Sequence, residues 1–221
     1  VTAIPLVITL LLLKFKVTES PARDVRMDTG VKVALPRSFY IFLGIMMLFG
    51  LGNSSDAFLI LRAQNLGVTL LAIPLVFALF NFVYAIASVP LGTLSDRIGR
   101  GKVIMLGLLA YALAYAGFAF ATASYQIWIL FAFYGLYYAT TEGVAKAFVA
   151  DMVQADHRGR AYGIYNATLG VIALPASIIA GVLWEKVSPA APFVFGASLS
   201  LIALCALLFF VYGYQRTPRA V

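Results

Sequence analysis

Glu142 and Lys146 stand four residues apart in a stretch that otherwise reads as apolar helix, so both project from one helical face and can pair. An ionised side chain at bilayer depth costs at least about 2.5 kcal/mol on insertion scales, so each needs a partner, a proton or a watery cavity. Two kinds of chemistry remain open. Glu142 either takes up and releases a proton, freeing Lys146 as it does so, or the two form a buried ion pair that only fixes helix packing. Asp56 is the third such group and closes the polar run Asn53-Ser54-Ser55-Asp56. It serves either as a second coupling carboxylate or as a residue near the membrane surface, bonding Asn53 or water with Arg62 as a loose neighbour. A comparable polar run, Tyr137 to Glu142, precedes Lys146. Asn53, Ser54, Tyr138 and Thr141 from the two runs are candidates to line a water-filled cavity, the alternative to a partner for polar groups at that depth. For the tyrosines, including Tyr134 and Tyr137, ordinary packing or an interfacial belt is the competing explanation.

Signatures of catalysis are missing. His157 is the sole histidine and sits in a basic segment without a second ligand nearby, so no metal site is expected. Gly101-Lys102 is followed by Val103 rather than Ser or Thr, which fails the phosphate-loop pattern. Neither Gly-x-Ser-x-Gly nor His-Glu-x-x-His occurs. No catalytic residue and no cofactor is assigned, and the chain is not read as an enzyme. Cys205 is the only cysteine, which rules out a disulfide within the chain.

These side chains need elements to hold them, and composition says which. Of 221 residues, 62% are hydrophobic and 11% charged, with a mean hydropathy of +0.95. A soluble domain is nearer 45–50% apolar and about 25% charged, so the solvent expected here is a lipid bilayer. Segments free of Asp, Glu, Lys and Arg run over 63–95, 103–141, 161–184 and 187–215. The second is too long for one crossing and is expected to turn back at Thr122 to Gln126. Allowing charges inside helices, six crossings are predicted near 39–62, 70–91, 103–121, 128–151, 161–184 and 192–214. An all-α polytopic fold follows, with the six-helix body at 38–215. Residues 1–13 are too short to cross and are read as the end of a truncated helix, 14–37 as a basic linker and 216–221 as a tail.

The net charge of +7 is read as a bias between membrane faces, not as a nucleic-acid footprint. Thirteen of the sixteen Lys and Arg fall in 14–37, 97–102, 158–160 and 216–219, which lie on one side of the predicted topology. That side, with the C-terminus, is expected in the cytoplasm, and the membrane is expected to be a bacterial inner membrane.

Between the second and third crossings the chain reads Gly92-Thr93-Leu94-Ser95-Asp96-Arg97-Ile98-Gly99-Arg100-Gly101-Lys102. On physical grounds this is a tight basic loop with a capping acid. Its order of residues resembles the G-x-L-x-D-R-x-G-R-[RK] loop of the major facilitator superfamily, with Gly101 departing from the usual base. Asp151, then Arg158-Gly159-Arg160, then Gly170 and Pro175, looks like that family's connection between the fourth and fifth helices of a half. The resemblance implies the C-terminal six-helix half of a twelve-helix transporter, built as two inverted three-helix repeats, with the N-terminal half as its missing partner. It implies gating roles for Gly92, Asp96, Arg97, Gly99 and Arg100 and a helix-end role for Asp151, Arg158 and Gly159. Pro175 is expected to kink the fifth crossing. The function implied is secondary active transport of a small solute of unspecified kind by alternating access, driven by protons. The competing reading is a non-transporting membrane subunit or scaffold whose ion pairs are structural.

Overall fold

The structure, a computed structural model, describes residues 34–215; the predictions for 1–13, most of 14–37, and 216–221 lie outside the described residues. Among the described residues every regular element is helical. Helix α1 spans Arg37–Gly52 and α2 spans Ala57–Asn65. Pro36 enters α1 in extended conformation, and Asn53 N–H closes it by bonding the carbonyls of Phe49 and Gly50. The non-helical run 53–56 is Asn-Ser-Ser-Asp, whose short polar side chains compete with the backbone for hydrogen bonds and so break helices. Gly67, with φ of 85°, terminates α2: Val68 N–H reaches back to Ala63 O at 3.0 Å and Gly67 N–H to Gln64 O at 3.0 Å.

A 3-10 turn at Leu70–Ala72 leads into α3, Ile73–Ile98, which continues through Pro90. Helix α4 is Arg100–Phe120 and α5 is Ser124–Met152. The expected turn between them is present, and Gln126 Oε1 caps α5 by accepting from Thr122 N–H at 2.7 Å and Ala123 N–H at 3.0 Å. A second 3-10 turn, Ala155–His157, precedes α6, Arg158–Lys186, and α7 covers Ala191–Gln215. Helix α6 runs unbroken through Pro175.

Among the described residues five stretches are long and apolar enough to cross a membrane: Arg37–Asn65, which joins α1 and α2, Leu70–Ile98, Arg100–Phe120, Ala155–Lys186 and Ala191–Gly213. Helix α5, the predicted fourth crossing, has 29 residues, about 44 Å at 1.5 Å each, but its Tyr, Thr and charged residues are spread along it so that it does not join that apolar set. It is nevertheless central. Helices α4 and α5 pack on each other, α3 lies on α5, α7 on α4, and α1 on α7 and α6. In its most apolar window α4 is 56% buried, against 22% for the span containing α3 and 11% for that containing α6, so those two form the flanks. Two close approaches require glycine. A Cβ at Gly196 on α7 would meet Gly52 O at 2.6 Å, and one at Gly135 on α5 would meet Phe80 O of α3 at 2.8 Å.

One expectation fails here. The signature segment is not a loop: α3 continues to Ile98, α4 begins at Arg100, and Gly99 alone joins them with φ of 99°. A positive φ of this kind is strained for any residue with a Cβ, so one glycine replaces an entire connection.

Candidate functional site

A cavity of about 300 Å³ opens between α1, α5 and α6. Met46, Phe49 and Gly50 come from α1, and Asn53 from the start of the break. Tyr137, Tyr138, Thr141, Glu142 and Lys146 come from α5, and Tyr165, Asn166, Leu169, Ile172 and Ala173 from α6. The α-helical period puts Tyr138, Glu142 and Lys146 on one stripe of α5, while the break ends α1 so that Asn53 faces the same space. Six of the residues singled out in the sequence therefore meet: Asn53, Tyr137, Tyr138, Thr141, Glu142 and Lys146.

Glu142 Oε1 lies 3.5 Å from Lys146 Nζ, and Glu142 Oε2 accepts a 3.0 Å hydrogen bond from Tyr84 Oη on α3. The two charged side chains are each 46% exposed in this chain and both line the cavity. Asn53 Nδ2 donates to Tyr137 Oη at 3.3 Å, and Thr141 Oγ1 donates to the Tyr137 carbonyl of its own helix at 2.7 Å.

Asp56 and Ser54 are not in this space. Asp56 Oδ1 accepts from Tyr134 Oη at 3.1 Å, so its partner is a tyrosine of α5 and not Asn53, as had been expected. Ser54 is 8% exposed and packed inside. Arg62 is no loose neighbour of Asp56 either. It is 8% exposed and donates to Phe118 O at 2.9 Å, Ala119 O at 3.1 Å, Ala121 O at 3.0 Å and Asn65 Oδ1 at 2.9 Å. Helix α4 ends with carbonyls that lack intrahelical partners, and Arg62 supplies them from α2.

At the basic end of the bundle, Arg100 Nη1 meets Asp151 Oδ1 at 3.0 Å and Arg100 Nη2 meets Asp96 Oδ1 at 3.4 Å, with a further bond from Nη1 to Ala147 O. The signature segment and the end of α5, read separately in the sequence, are thus one charged cluster. Gly92, Asp96 and Arg100 also line a groove of about 270 Å³ between α3 and α5, together with Tyr84, Ser88 and Gly143. Arg97 and Gly159 are exposed, and Arg158 Nε bonds Ala150 O at 3.3 Å. Pro175 does not line the cavity, but its neighbour Ser177 accepts a bond from Ser55 N–H at 3.3 Å, tying α6 to the break in the first span. Among the described residues no three His, Cys, Asp or Glu side chains are grouped to hold a metal.

Sequence reasoning missed Tyr84, Asn166 and the true role of Arg62. A lone tyrosine in the charge-free run 63–95 gives no sign that it faces Glu142 across two helices. Asn166 could have been found, since an amide in the apolar run 161–184 is itself costly in lipid.

A cavity that sets a few polar and charged groups in a mainly apolar lining, with a charged junction at the basic end of the bundle, fits what comparison with known proteins finds. The profile of the Major Facilitator Superfamily matches residues 36–220. The chain belongs to the major facilitator superfamily. An uncharacterized MFS-type transporter of Methanocaldococcus jannaschii is 38% identical over 210 residues, which cover 91% of this chain and 52% of that protein. The class B tetracycline resistance protein of Escherichia coli is 30% identical over 140 residues, 63% of this chain and 34% of that protein. The class C protein of the same organism is 33% identical over 148 residues, covering 64% and 36%. The chain thus spans about half the length of the first of these relatives, and about a third of the other two.

Proposed function

We propose that this chain is the C-terminal half of a secondary active transporter that moves a small organic solute by alternating access, coupled to a proton gradient. The observation that carries the reading is the Glu142–Lys146 pair, 3.5 Å apart and open to a cavity bounded by α1, α5 and α6. In an apolar bundle, well-packed apolar side chains would cost less than a charged pair with no task; one held at the cavity edge is available to solute and to protons. That α1 and α5, the first helices of the two proposed three-helix repeats, both line the cavity supports an inverted-repeat plan with the site at its centre. On this reading the basic junction around Arg100 faces the cytoplasm, where Asp96, Arg100 and Asp151 favour one of the two alternating states.

Reconstitution of the full-length protein in liposomes with an imposed proton gradient tests this. Tetracycline is the first solute to try, because two relatives carry it in their names. Glu142→Gln should abolish uphill accumulation while downhill exchange survives. If the pair is only structural, Glu142→Gln lowers folded yield by stranding Lys146, and adding Lys146→Met restores yield and accumulation together. Full gradient-driven transport in that double variant would end the coupling role of Glu142.

A further inference from the structure

The cavity's hydrogen-bonding capacity is unevenly spent. Glu142 has both oxygens served, Oε2 by Tyr84 at 3.0 Å and Oε1 by Lys146 at 3.5 Å. Lys146 has three N–H donors and, among the described residues, uses one of them in that single long bond. Asn166, exposed in the cavity wall, makes no hydrogen bond among the described residues. Tyr84 lines the α3–α5 groove and not the cavity, so its bond draws Glu142 Oε2 away from the cavity and toward α3. The charged donor left facing the cavity is Lys146. Leu169 and Ile172 line the same cavity and are the partly exposed apolar part of its wall, with Phe49 and Tyr165 buried behind.

We propose that the cavity takes an amphipathic organic anion, whose carboxylate is bound by Lys146 and Asn166 and whose apolar body lies on Leu169 and Ile172. Tyr84 is a positioning residue: by holding Glu142 Oε2 on the α3 side it limits Glu142 to one long contact with Lys146, 3.5 Å through Oε1, and leaves the other ammonium donors for the solute. A cation is disfavoured because it would have to displace Tyr84 or Lys146 from Glu142, whereas an anion fills donors that are unspent. Charge-assisted hydrogen bonds are about twice as strong as neutral ones, and the apolar wall adds affinity without choosing the sign of charge. This rests on the cavity being the transport site, but it concerns binding and is read without transport.

The test uses three probes with one body and different charge: 1-naphthoate, 1-naphthalenemethanol and 1-naphthylmethylamine. Each is measured by equilibrium dialysis against the full-length protein in nanodiscs, with empty nanodiscs subtracting lipid partition. Naphthoate should bind about 10-fold more tightly than the alcohol, an increment of about 1.4 kcal/mol, and the amine more weakly than either. Lys146→Met should bring naphthoate within about twofold of the alcohol, and Lys146→Arg should keep most of the preference. Tyr84→Phe should weaken naphthoate several-fold and leave the alcohol unchanged, a split that loss of packing alone would not give. Should Lys146→Met fail to fold, Lys146→Gln and Tyr84→Phe carry the same comparison. Tighter binding of the amine, a naphthoate preference that survives loss of Lys146, or no binding of any probe overturns the proposal. An intact anion preference without any gradient-driven flux would refute the transport coupling and leave this inference standing.

Discussion

Replacing Arg62 by methionine tests how the first span is held to the bundle. The guanidinium serves three carbonyls at the end of α4 and the Asn65 side chain, all between 2.9 and 3.1 Å. Methionine keeps much of the stem's volume and removes every donor. A buried acceptor left unmade costs about 1–3 kcal/mol, so three carbonyls give roughly 3–9 kcal/mol at the outset. Two effects reduce this. A buried cation costs several kcal/mol to desolvate, and that cost disappears with the charge; carbonyls at a helix end can also turn toward water. A net loss of about 3 kcal/mol is expected, which by the scaling for domains of this size lowers the melting temperature by about 6–12 °C. Thermal unfolding of the full-length protein in detergent, followed by tryptophan fluorescence, reads the shift. Arg62→Lys should lose a smaller amount, because one ammonium can reach some of these acceptors but cannot fork across all of them. Hydrogen exchange should rise at α2 and at 118–121 while α7 keeps its protection. A melting temperature within a degree of the parent for Arg62→Met would refute the argument that these carbonyls depend on Arg62.

Two glycines of α5 should respond oppositely to alanine. Gly135→Ala places a Cβ 2.8 Å from the Phe80 carbonyl and should cost about 1–3 kcal/mol by thermal melt, whereas Gly143, with nothing within 4 Å, should tolerate alanine or gain up to about 1 kcal/mol from helix propensity. Asp151→Asn removes one arm of the Arg100 cluster, but at 53% exposure it should change stability by less than about 1 kcal/mol; if it also slows transport, its role lies in the alternation and not in folding. For topology, single cysteines at Arg97 and Ala155 in a Cys205→Ala background should react with impermeant thiol reagents only from the cytoplasmic face, and those at Ser124 and Ser188 only from outside. Arg97 is chosen over Ser95 because Ser95 is 3% exposed and would not label from either face.

What could be read without coordinates follows from where the free energy is local. Hydropathy is a sum over consecutive residues, so five of the six predicted spans and the turn near Thr122 to Gln126 were legible, while α5 is a helix that does not join the apolar five and the second span runs on to Ile98. Helical period is equally local, and it put Glu142 beside Lys146. The segment from Gly92 to Lys102 was misread as a loop because glycines and charges usually mark one; here they serve helix ends and tertiary bonds, and only Gly99 leaves helical geometry. The partners of Asp56, Glu142 and Arg62 were beyond reach for a different reason. Tyr134, Tyr84 and the end of α4 are respectively 78, 58 and 56–59 residues from them, and no local rule chooses among twelve tyrosines.

The partners missed for Asp56, Glu142 and Arg62 share a cause that bears on how such bundles distribute polarity. Each group was given partners from its own stretch of sequence: Asn53 or water for Asp56, Lys146 for Glu142, Asp56 for Arg62; only the second pairing is present. In lipid the choice of partner is set by depth and by which helix faces which, because an unpaired group cannot fall back on water. Cross-helix partners therefore add to or replace the local ones, and for the two carboxylates they are tyrosines, whose hydroxyl stands at the far end of an apolar ring and can reach a neighbouring helix at little desolvation cost. Where the wall between helices is built of tyrosine, as α5 is at 134, 137 and 138, a carboxylate on either side finds a donor without a counter-ion. Asp56 is that case: its bond is to Tyr134, and among the described residues it makes no ion pair. Glu142 differs by one lysine. That single addition turns a carboxylate held by phenol into a charged edge that a solute can address.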